Sequence, residues 1–175
     1  MVIFLGRLYD YGMLTFLEGE GNGASLGVFC VAKKSGKLRL IFDTRKLNRR
    51  SKDPPSVNLP TASAFSSIEI DENCIAFLAS GDLSNAFYTM EIPLDLTEQF
   101  TLQPISAGFL RARLGSKPKY DTVLRPALRV LPMGWSHSLR FCQALVADKV
   151  ASIVGAQNVI QDSIPQFDYP IRIRR

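Results

Sequence analysis

Hydrophobic and polar positions early in the chain follow the pattern of two strands joined by a tight turn. The residues from Val28 to Ala32 are apolar, and every second position from Leu38 to Phe42 is again Leu, Leu and Phe. Gly36 lies between the two runs and supplies the backbone freedom that a short turn needs. The pattern therefore predicts a β-hairpin with three basic residues at its tip: Lys33, Lys34 and Lys37.

A second apolar run, from Ile75 to Ala79, has the length and composition of a buried strand, and a single acid, Asp82, follows it. A carboxylate at the end of a buried strand is unfavourable unless it caps a helix, closes a turn or binds a cation. The residues alone leave these alternatives open, and a capping or turn role is the more common one.

A third pattern predicts a helix near the end of the chain. Pro132 and Gly134 favour a turn, Ser136 or Ser138 can cap the helix that follows, and Gly155 is a typical C-terminal stop. Apolar residues and one lysine recur at spacings of three and four, which marks a single helix face. That face comprises Leu139, Cys142, Leu145, Val146, Lys149 and Ile153.

The remaining segments give weaker signals. The proline-rich stretch 51–60 predicts a loop, and residues 61–70 predict a short helix. Short strands are expected at Tyr88–Ile92 and Phe100–Gln103, whereas residues 104–128 are basic and are expected to be irregular. We therefore expect three segments along the chain. They are an N-terminal piece with a flexible joint (1–26), a main domain (27–155) and an irregular basic tail (156–175).

Composition indicates a globular chain with a surplus of positive charge. The 175 residues are 46% hydrophobic, which is enough for one domain with its own core. Lysine and arginine outnumber aspartate and glutamate by 21 to 16, and the basic residues concentrate in 33–52, 111–129 and 172–175. Such clusters are compatible with a polyanionic partner and equally with a solvated face.

Cysteine and histidine usage argues against a zinc site, and the first residues argue against export. The three cysteines form no C-x-x-C pair and the chain has one histidine, His137. The apolar run at the start is broken by Arg7 and Asp10, so it fits neither a membrane span nor a secretory signal. These observations favour an intracellular protein and leave its oligomeric state open.

Three stretches occur in an order that resembles the reverse transcriptases of retroelements: VAKKSGKLRLIFDTRKLN, SGDLSNAFYTMEIP and VLPMGWSHSLRFCQ. The resemblance covers roughly residues 27 to 147. It implies an α+β fold, namely the fingers and part of the palm of a right-hand polymerase. It also implies RNA-directed DNA synthesis on an RNA or DNA template–primer, with deoxynucleoside triphosphates and Mg²⁺ and no membrane partner.

The resemblance assigns a catalytic role to the middle stretch. Two divalent ions about 3.5–4 Å apart can clamp the attacking and leaving oxygens of a phosphoryl transfer. Asp82 falls where the family places its first metal-binding carboxylate, and the backbone carbonyl of Leu83 would be a further ligand. Phe87 falls at the aromatic position beneath the sugar, where a ring would crowd a 2′-hydroxyl and favour deoxynucleotides. Ordinary core packing is the alternative for Phe87.

The resemblance also implies a nucleotide site. Lys33 or Lys34, together with Arg39, matches the hairpin that grips the incoming triphosphate, where cations would form charge-assisted hydrogen bonds. Gly134 lets backbone approach the nucleotide closely. Met133 stands where many retroviral enzymes have glutamine, and a thioether cannot donate the hydrogen bond that an amide would give the sugar.

The template is assigned to the segment after the hairpin and to one aromatic residue. Asp43, Arg45 and Asn48 match the family's template-facing positions, and Trp135 joins them from the Gly-Trp turn. His137, two residues further on, is more typical of a helix face than of a catalytic site.

The family's second acidic motif, an aromatic-x-Asp-Asp hairpin, has no counterpart, since no Asp-Asp pair occurs in the chain. One carboxylate cannot hold two Mg²⁺ ions, which prefer several oxygen ligands and lose water reluctantly. We therefore expect no polymerase activity from these residues alone. The alternatives are a non-catalytic nucleic-acid-binding remnant of a retroelement and a translated gene fragment without function.

Overall fold

The computed structural model describes residues 2–19, 21, 25–57, 59–115, 118–119 and 121–160. The chain folds as two compact units, residues 1–53 with 85–138 and residues 54–84 with 139–175. The elements are α1 (Val2–Asp10), β1 (Leu14–Glu18), β2 (Gly27–Ala32), β3 (Leu38–Asp43), α2 (Arg45–Asn48), α3 (Ala62–Ser66), α4 (Leu94–Thr97), β4 (Ile105–Ser106), α5 (Arg111–Leu114), β5 (Val123–Leu128) and α6 (Ser138–Val154). Short 3₁₀ turns occupy Ala86–Thr89, Glu98–Phe100, Ala107–Leu110 and Ala156–Asn158.

The core of the first unit is a three-stranded antiparallel sheet in the order β1-β5-β4. Leu14 of β1 lies opposite Leu128 of β5, and both side chains are buried, as are Leu124 of β5 and Phe100 beside the sheet. Helix α1 contributes the buried Leu5 and covers this core. Burial of these large apolar side chains is the main stabilising term of the unit.

The structure corrects the expectation that residues 104–128 are irregular, because β4 and the central strand β5 lie within them. β5 contains Pro126, although proline cannot donate a hydrogen bond to a β-ladder. Its carbonyl nevertheless accepts the N–H of Leu102 at 2.7 Å, and its Cα pairs with Phe16 of β1. The expected strands at Tyr88–Ile92 and Phe100–Gln103 are reduced to single bridges, Glu91 with Val130 and Thr101 with Ala127.

The predicted hairpin is confirmed. β2 and β3 pair antiparallel from Gly27 opposite Asp43 to Ala32 opposite Leu38. The turn is closed by the Lys33 N–H, which donates to the Lys37 carbonyl at 2.7 Å, and Gly36 adopts a positive φ of 77° there. Phe42 is buried where the hairpin joins the rest of the first unit, so the hairpin is anchored at the end opposite its lysines.

The second unit contains α3 and most of α6, and it corrects the prediction of a buried strand. Residues 74–83 have no regular structure, and Ile75, Phe77 and Leu78 are 71%, 74% and 68% exposed. A strand satisfies its backbone only by pairing with a neighbour, and the described residues of this unit form no strand that could pair with it. The loop after Arg50 and the short helix within 61–70 are confirmed.

The long helix is confirmed as α6, which ends at Gly155 with a positive φ of 87°. The Ser138 hydroxyl donates to the Pro132 carbonyl at 2.8 Å and the Ser136 hydroxyl contacts His137, and the capping role expected of either serine stays a prediction. Several apolar residues of α6, Leu145 and Ile153 among them, are exposed. Within the described residues, no helix is both long enough and apolar enough to cross a membrane.

The division into 1–26, 27–155 and 156–175 stays a prediction. The structure adds that β1, from the first of these segments, pairs with β5 from the second. The part of the tail from 161 onward, including the basic end of the chain, lies outside the described residues.

Candidate functional site

Phe42, at the end of β3, is the point where three segments of the first unit meet. Its N–H donates to the Met133 carbonyl at 3.3 Å, and its ring lies edge-on to Tyr88 with 6.4 Å between centroids. Its own carbonyl faces Gly134, where a Cβ would lie only 2.6 Å from that oxygen. The structure therefore brings the end of the hairpin, the turn at residues 132–136 and the 3₁₀ segment Ala86–Thr89 together around one buried side chain.

Tyr88 links this junction to the hairpin itself. Its hydroxyl donates to the Leu40 carbonyl of β3 at 2.5 Å. Burial raises the pKa of Tyr88 to about 12, so the hydroxyl keeps its proton at neutral pH and remains a donor. Phe87, the predicted residue beneath the sugar, is the preceding residue and is half-buried in the same 3₁₀ segment.

The turn that carries Met133, Gly134 and Trp135 has an unusual backbone conformation. Gly134 has a φ of 124°, which side-chain-bearing residues rarely adopt, and its contact with Phe42 leaves no room for a Cβ. The Asn48 side chain donates from Nδ2 to the Gly134 carbonyl at 2.9 Å and accepts the Ser136 N–H at 3.1 Å. The close backbone approach that the structure shows at Gly134 is to Phe42, and the approach to a nucleotide stays a prediction.

The Trp135 ring lies between two other rings. Phe100 packs edge-on against it with 5.0 Å between centroids, and His137 stacks on it, also at 5.0 Å. His137 therefore takes part in ring packing and lies in the turn before α6, which corrects the prediction that it lies on the helix face.

The first unit also contains a basic cleft, an open depression of about 470 Å³. Its floor and walls come from the segment before β2, from α2 and the residues after it, and from the 3₁₀ turn at Glu98–Phe100. Four cations and one acid line it, so it carries a net positive charge. The lining residues are Ser25, Leu26, Gly27, Asp43, Arg45, Lys46, Leu47, Arg49, Arg50, Ser51 and Gln99.

Asp43 and Arg45 form a fixed ion pair at the edge of this basic cleft. The Arg45 guanidinium donates from Nε and from one terminal nitrogen to the two carboxylate oxygens, at 2.8 and 2.7 Å, and the Arg45 N–H adds a bond of 3.2 Å. These hydrogen bonds lower the pKa of Asp43 from 3.8 to about 2, and Asp43 in turn raises the pKa of Arg45. The pair orients Arg45 while its side chain stays 82% exposed.

The predicted triphosphate residues lie on the hairpin. Arg39 is exposed on β3, whereas Lys33 and Lys34 lie in the turn, about 16 Å of strand away from Phe42 at 3.3 Å per residue. The first unit thus contains every predicted nucleotide and template residue, but the lysines are at the far end of the hairpin.

Asp82 and Leu83 belong to the second unit and are exposed in an irregular segment. Because Asp82 is exposed, its carboxylate pays no cost of burial and needs neither a cap nor a cation for that reason. Among the described residues, no group of three or more His, Cys, Asp or Glu side chains could hold a metal ion. Asp82 and the Leu83 carbonyl do not by themselves supply the oxygen ligands that two Mg²⁺ ions need.

Sequence reasoning missed two residues that organise the site, Tyr88 and Phe42. The adjacent aromatic residues Phe87 and Tyr88 were a usable signal, since a tyrosine in an otherwise apolar segment usually needs a partner for its hydroxyl. The role of Asn48 at the turn had no local signal, because its partners are 86 and 88 residues away.

Comparison with known proteins places these features in a retroviral context. No family model matches the chain. It is 30% identical over 142 residues to the Gag-Pro-Pol polyprotein of Sheep pulmonary adenomatosis virus, and the match spans 80% of this chain but 7% of that polyprotein.

The fold is similar to a solved structure of the foamy viral protease-reverse transcriptase dRH in complex with double-stranded DNA. The TM-score is 0.54 at 19% identity, and the match covers 85% of this chain and 22% of that one. The mixed α/β fold with antiparallel sheets agrees with part of a polymerase-like fold, as predicted. The chain is thus related in sequence to a retroviral Gag-Pro-Pol polyprotein and shares its fold with part of a retroviral protease-reverse transcriptase.

Proposed function

We propose that this chain is the fingers and part of the palm of a retroelement reverse transcriptase, and that its 175 residues alone bind template–primer nucleic acid without extending the primer. The sequence match and the fold support the family. The observation that carries the binding proposal is the basic cleft, which is lined by Arg45, Lys46, Arg49 and Arg50.

The chemistry of the basic cleft suits the phosphates of a nucleic acid backbone. Asp43 holds Arg45 in one orientation by two hydrogen bonds, which reduces the conformational freedom that Arg45 would lose on binding. Lys46, Arg49 and Arg50 belong to none of the ion pairs formed among the described residues. Their charges are therefore available to displace the counterions of a bound strand, and binding should weaken as salt rises.

The incoming deoxynucleoside triphosphate belongs to the same proposal. Lys33 or Lys34 with Arg39 would contact its phosphates, and Phe87, Met133 and Gly134 its sugar and base. The last three residues lie on two segments, the 3₁₀ segment Ala86–Thr89 and the turn at residues 132–136, and both segments contact Phe42, which supports this assignment. Asp82 and Leu83 would contribute to an Mg²⁺ site in the whole polymerase, but the described residues bring no further carboxylates to them.

Charge-neutralising substitutions in the basic cleft test the binding proposal. A triple variant, Lys46→Gln with Arg49→Gln and Arg50→Gln, should bind a fluorescently labelled RNA–DNA primer–template at least about tenfold more weakly. The plot of log affinity against log salt should also become less steep. The magnitude of its slope should decrease by about 2 to 3, since each phosphate contact contributes roughly 0.7–0.9. The matched control, Arg7→Gln with Arg140→Gln and Lys149→Gln, removes the same charge from α1 and α6. Equal losses in both triples would show that net charge, and not the cleft, is responsible.

Primer extension tests the second part of the proposal. With Mg²⁺ and all four deoxynucleoside triphosphates, the 175-residue chain should leave a labelled primer unextended, because its described residues supply a single candidate carboxylate. Extension that disappears in Asp82→Ala would contradict this part and leave the binding proposal intact.

A non-catalytic nucleic-acid-binding remnant is the second candidate, favoured by the exposed position of Asp82. The two candidates differ in nucleotide binding. A reverse transcriptase fragment that keeps its nucleotide residues should bind dATP when a primer–template is present, whereas a remnant should bind the nucleic acid alone.

A further inference from the structure

Asn48 is the last residue of α2, and both ends of its side-chain amide are engaged by one distant turn. Nδ2 donates to the Gly134 carbonyl at 2.9 Å, and Oδ1 accepts the Ser136 N–H at 3.1 Å. The two bonds bracket Trp135. Such a two-point attachment fixes both the distance of the turn from α2 and its orientation, which a single bond would leave free to rotate.

The backbone of the turn also forms two hydrogen bonds of its own: the Trp135 N–H donates to the Pro132 carbonyl at 3.3 Å, and the Trp135 carbonyl accepts the Ser138 N–H at 3.0 Å. Gly134 has a φ of 124°, and because glycine has no side chain its backbone can also adopt many other conformations. The Met133 carbonyl accepts a longer bond, 3.3 Å, from the Phe42 N–H. The Ser138 hydroxyl holds the Pro132 carbonyl, which lies just before the turn. The two Asn48 bonds are the side-chain bonds that attach the backbone from Gly134 to Ser136 to α2.

Asn48 is itself held firmly. Its N–H donates to the carbonyl of the buried Thr44 at 2.8 Å, and the side chain leaves a helix that is anchored at the other end by the Asp43–Arg45 pair. Arg45, Lys46 and Leu47 of α2 line the basic cleft, whereas Asn48 does not. The helix thus presents cations to the basic cleft and an amide to the turn.

We propose that Asn48 is a positioning residue, which acts through the Gly134–Ser136 turn to hold the backbone that receives the incoming nucleotide, and that it is not a template contact. This rests on the proposed function for the identity of the nucleotide. The geometry supports it because the two amide ends that a template contact would need are engaged within the protein.

The sole tryptophan of the chain, Trp135, lies inside the turn and reports on it directly. In Asn48→Ala, acrylamide should quench Trp135 fluorescence with a rate constant at least about twice that of the unsubstituted chain, since the turn loses two of its bonds. Asn158→Ala is the matched control. It removes an asparagine whose Nδ2 donates to the Val154 carbonyl, away from the turn in sequence, and it should leave quenching unchanged.

Two affinities measured on the same variants then separate positioning from template contact. Asn48→Ala should bind a labelled primer–template within about twofold of the unsubstituted chain, whereas its affinity for dATP in the presence of that primer–template should fall at least about tenfold. A loss of primer–template affinity with unchanged quenching and dATP affinity would overturn the proposal. So would unchanged values of all three quantities.

A second variant covers the case in which Asn48→Ala does not fold. Asn48→Asp keeps the acceptor for the Ser136 N–H and removes the donor to the Gly134 carbonyl, so Trp135 should be quenched faster, and dATP should bind more weakly, than in the unsubstituted chain. Values equal to the unsubstituted chain would contradict the proposal. If the unsubstituted chain binds neither primer–template nor dATP, the proposed function fails, while the quenching comparison still decides whether Asn48 positions the turn.

Discussion

The Tyr88 hydroxyl donates a hydrogen bond of 2.5 Å to the carbonyl of Leu40, which lies in the middle of β3. This bond fastens the otherwise exposed hairpin to the 3₁₀ segment that carries Phe87. The ring contact between Tyr88 and the buried Phe42 adds a second attachment at the end of the same strand. Tyr88 therefore fixes the hairpin, with its predicted triphosphate residues, relative to the predicted sugar-facing ring.

Removing this hydroxyl should loosen the hairpin without altering the ring packing. We expect Tyr88→Phe to lower the free energy of unfolding by about 1 kcal/mol, because the Leu40 carbonyl loses its partner. The amides of β2 and β3 should also exchange with deuterium faster than in the unsubstituted chain. Urea unfolding and hydrogen exchange measured by mass spectrometry check the two effects. Tyr11→Phe is the control, since Tyr11 is 80% exposed; equal effects of the two changes would contradict the role of Tyr88.

The free energy of unfolding should also depend on Tyr88 at alkaline pH. The folded pKa of Tyr88 is raised from 10.0 to about 12, so the folded state holds this proton more tightly than the unfolded state does. The stability linked to Tyr88 is therefore fully present below about pH 10 and is lost as the pH rises towards 12. Urea unfolding at a series of pH values should give a decline over this range that is smaller in Tyr88→Phe. A decline of the same size in both chains would exclude Tyr88 as its source.

The Asp43–Arg45 pair should make the free energy of unfolding depend on pH in the acid range. Asp43 has a folded pKa lowered from 3.8 to about 2, so its contribution is present above about pH 4 and is lost as the pH falls towards 2. Asp43→Asn should remove this part of the acid dependence, whereas Asp95→Asn in the first turn of α4 should retain it. Unfolding followed by circular dichroism between pH 2 and pH 5 makes the comparison, and identical acid profiles in all three chains would count against the pair.

A methyl group at Gly134 should disrupt the junction around Phe42. Gly134→Ala places a Cβ 2.6 Å from the Phe42 carbonyl oxygen and imposes strain at a φ of 124°. We expect a loss of about 2–4 kcal/mol in the free energy of unfolding from the strain and the clash together. Gly12→Ala serves as the comparison, since its φ is +70° but nothing lies within 4 Å of the added atom. Urea unfolding should show the larger loss at Gly134, and equal losses would mean that the close approach to Phe42 is unimportant.

The parts of the fold that sequence could predict are those specified by local patterns. The hairpin follows from alternation on either side of Gly36, and α6 follows from a spacing of three and four that stops at Gly155. The central strand β5 could not be predicted in this way, because it lies in the basic segment 104–128 and contains Pro126, whose carbonyl pairs with the N–H of Leu102, 24 residues earlier. The strand expected at Ile75–Ala79 failed for the converse reason, since an apolar run becomes a strand only where another strand pairs with it.

The candidate site shows the same limit. The resemblance identified Asp43, Arg45, Asn48 and Gly134, yet the contact between Asn48 and Gly134 is a tertiary one that no spacing reveals. The pairing of Asp43 with Arg45 is local and could be anticipated from a separation of two residues. The attachment of Asn48 to Gly134 and of Tyr88 to Leu40 joins segments 86 and 48 residues apart.

The salt dependence of primer–template binding tests the central claim most directly. The unsubstituted chain should bind a labelled RNA–DNA primer–template saturably, with an affinity that falls linearly on a log–log plot as salt rises and a slope of about −3 or steeper. Such a slope would mean that several cations of the chain replace counterions on the nucleic acid. Binding that does not saturate, or an affinity that does not change with salt, would contradict the proposal that this chain engages a nucleic acid backbone through its basic cleft.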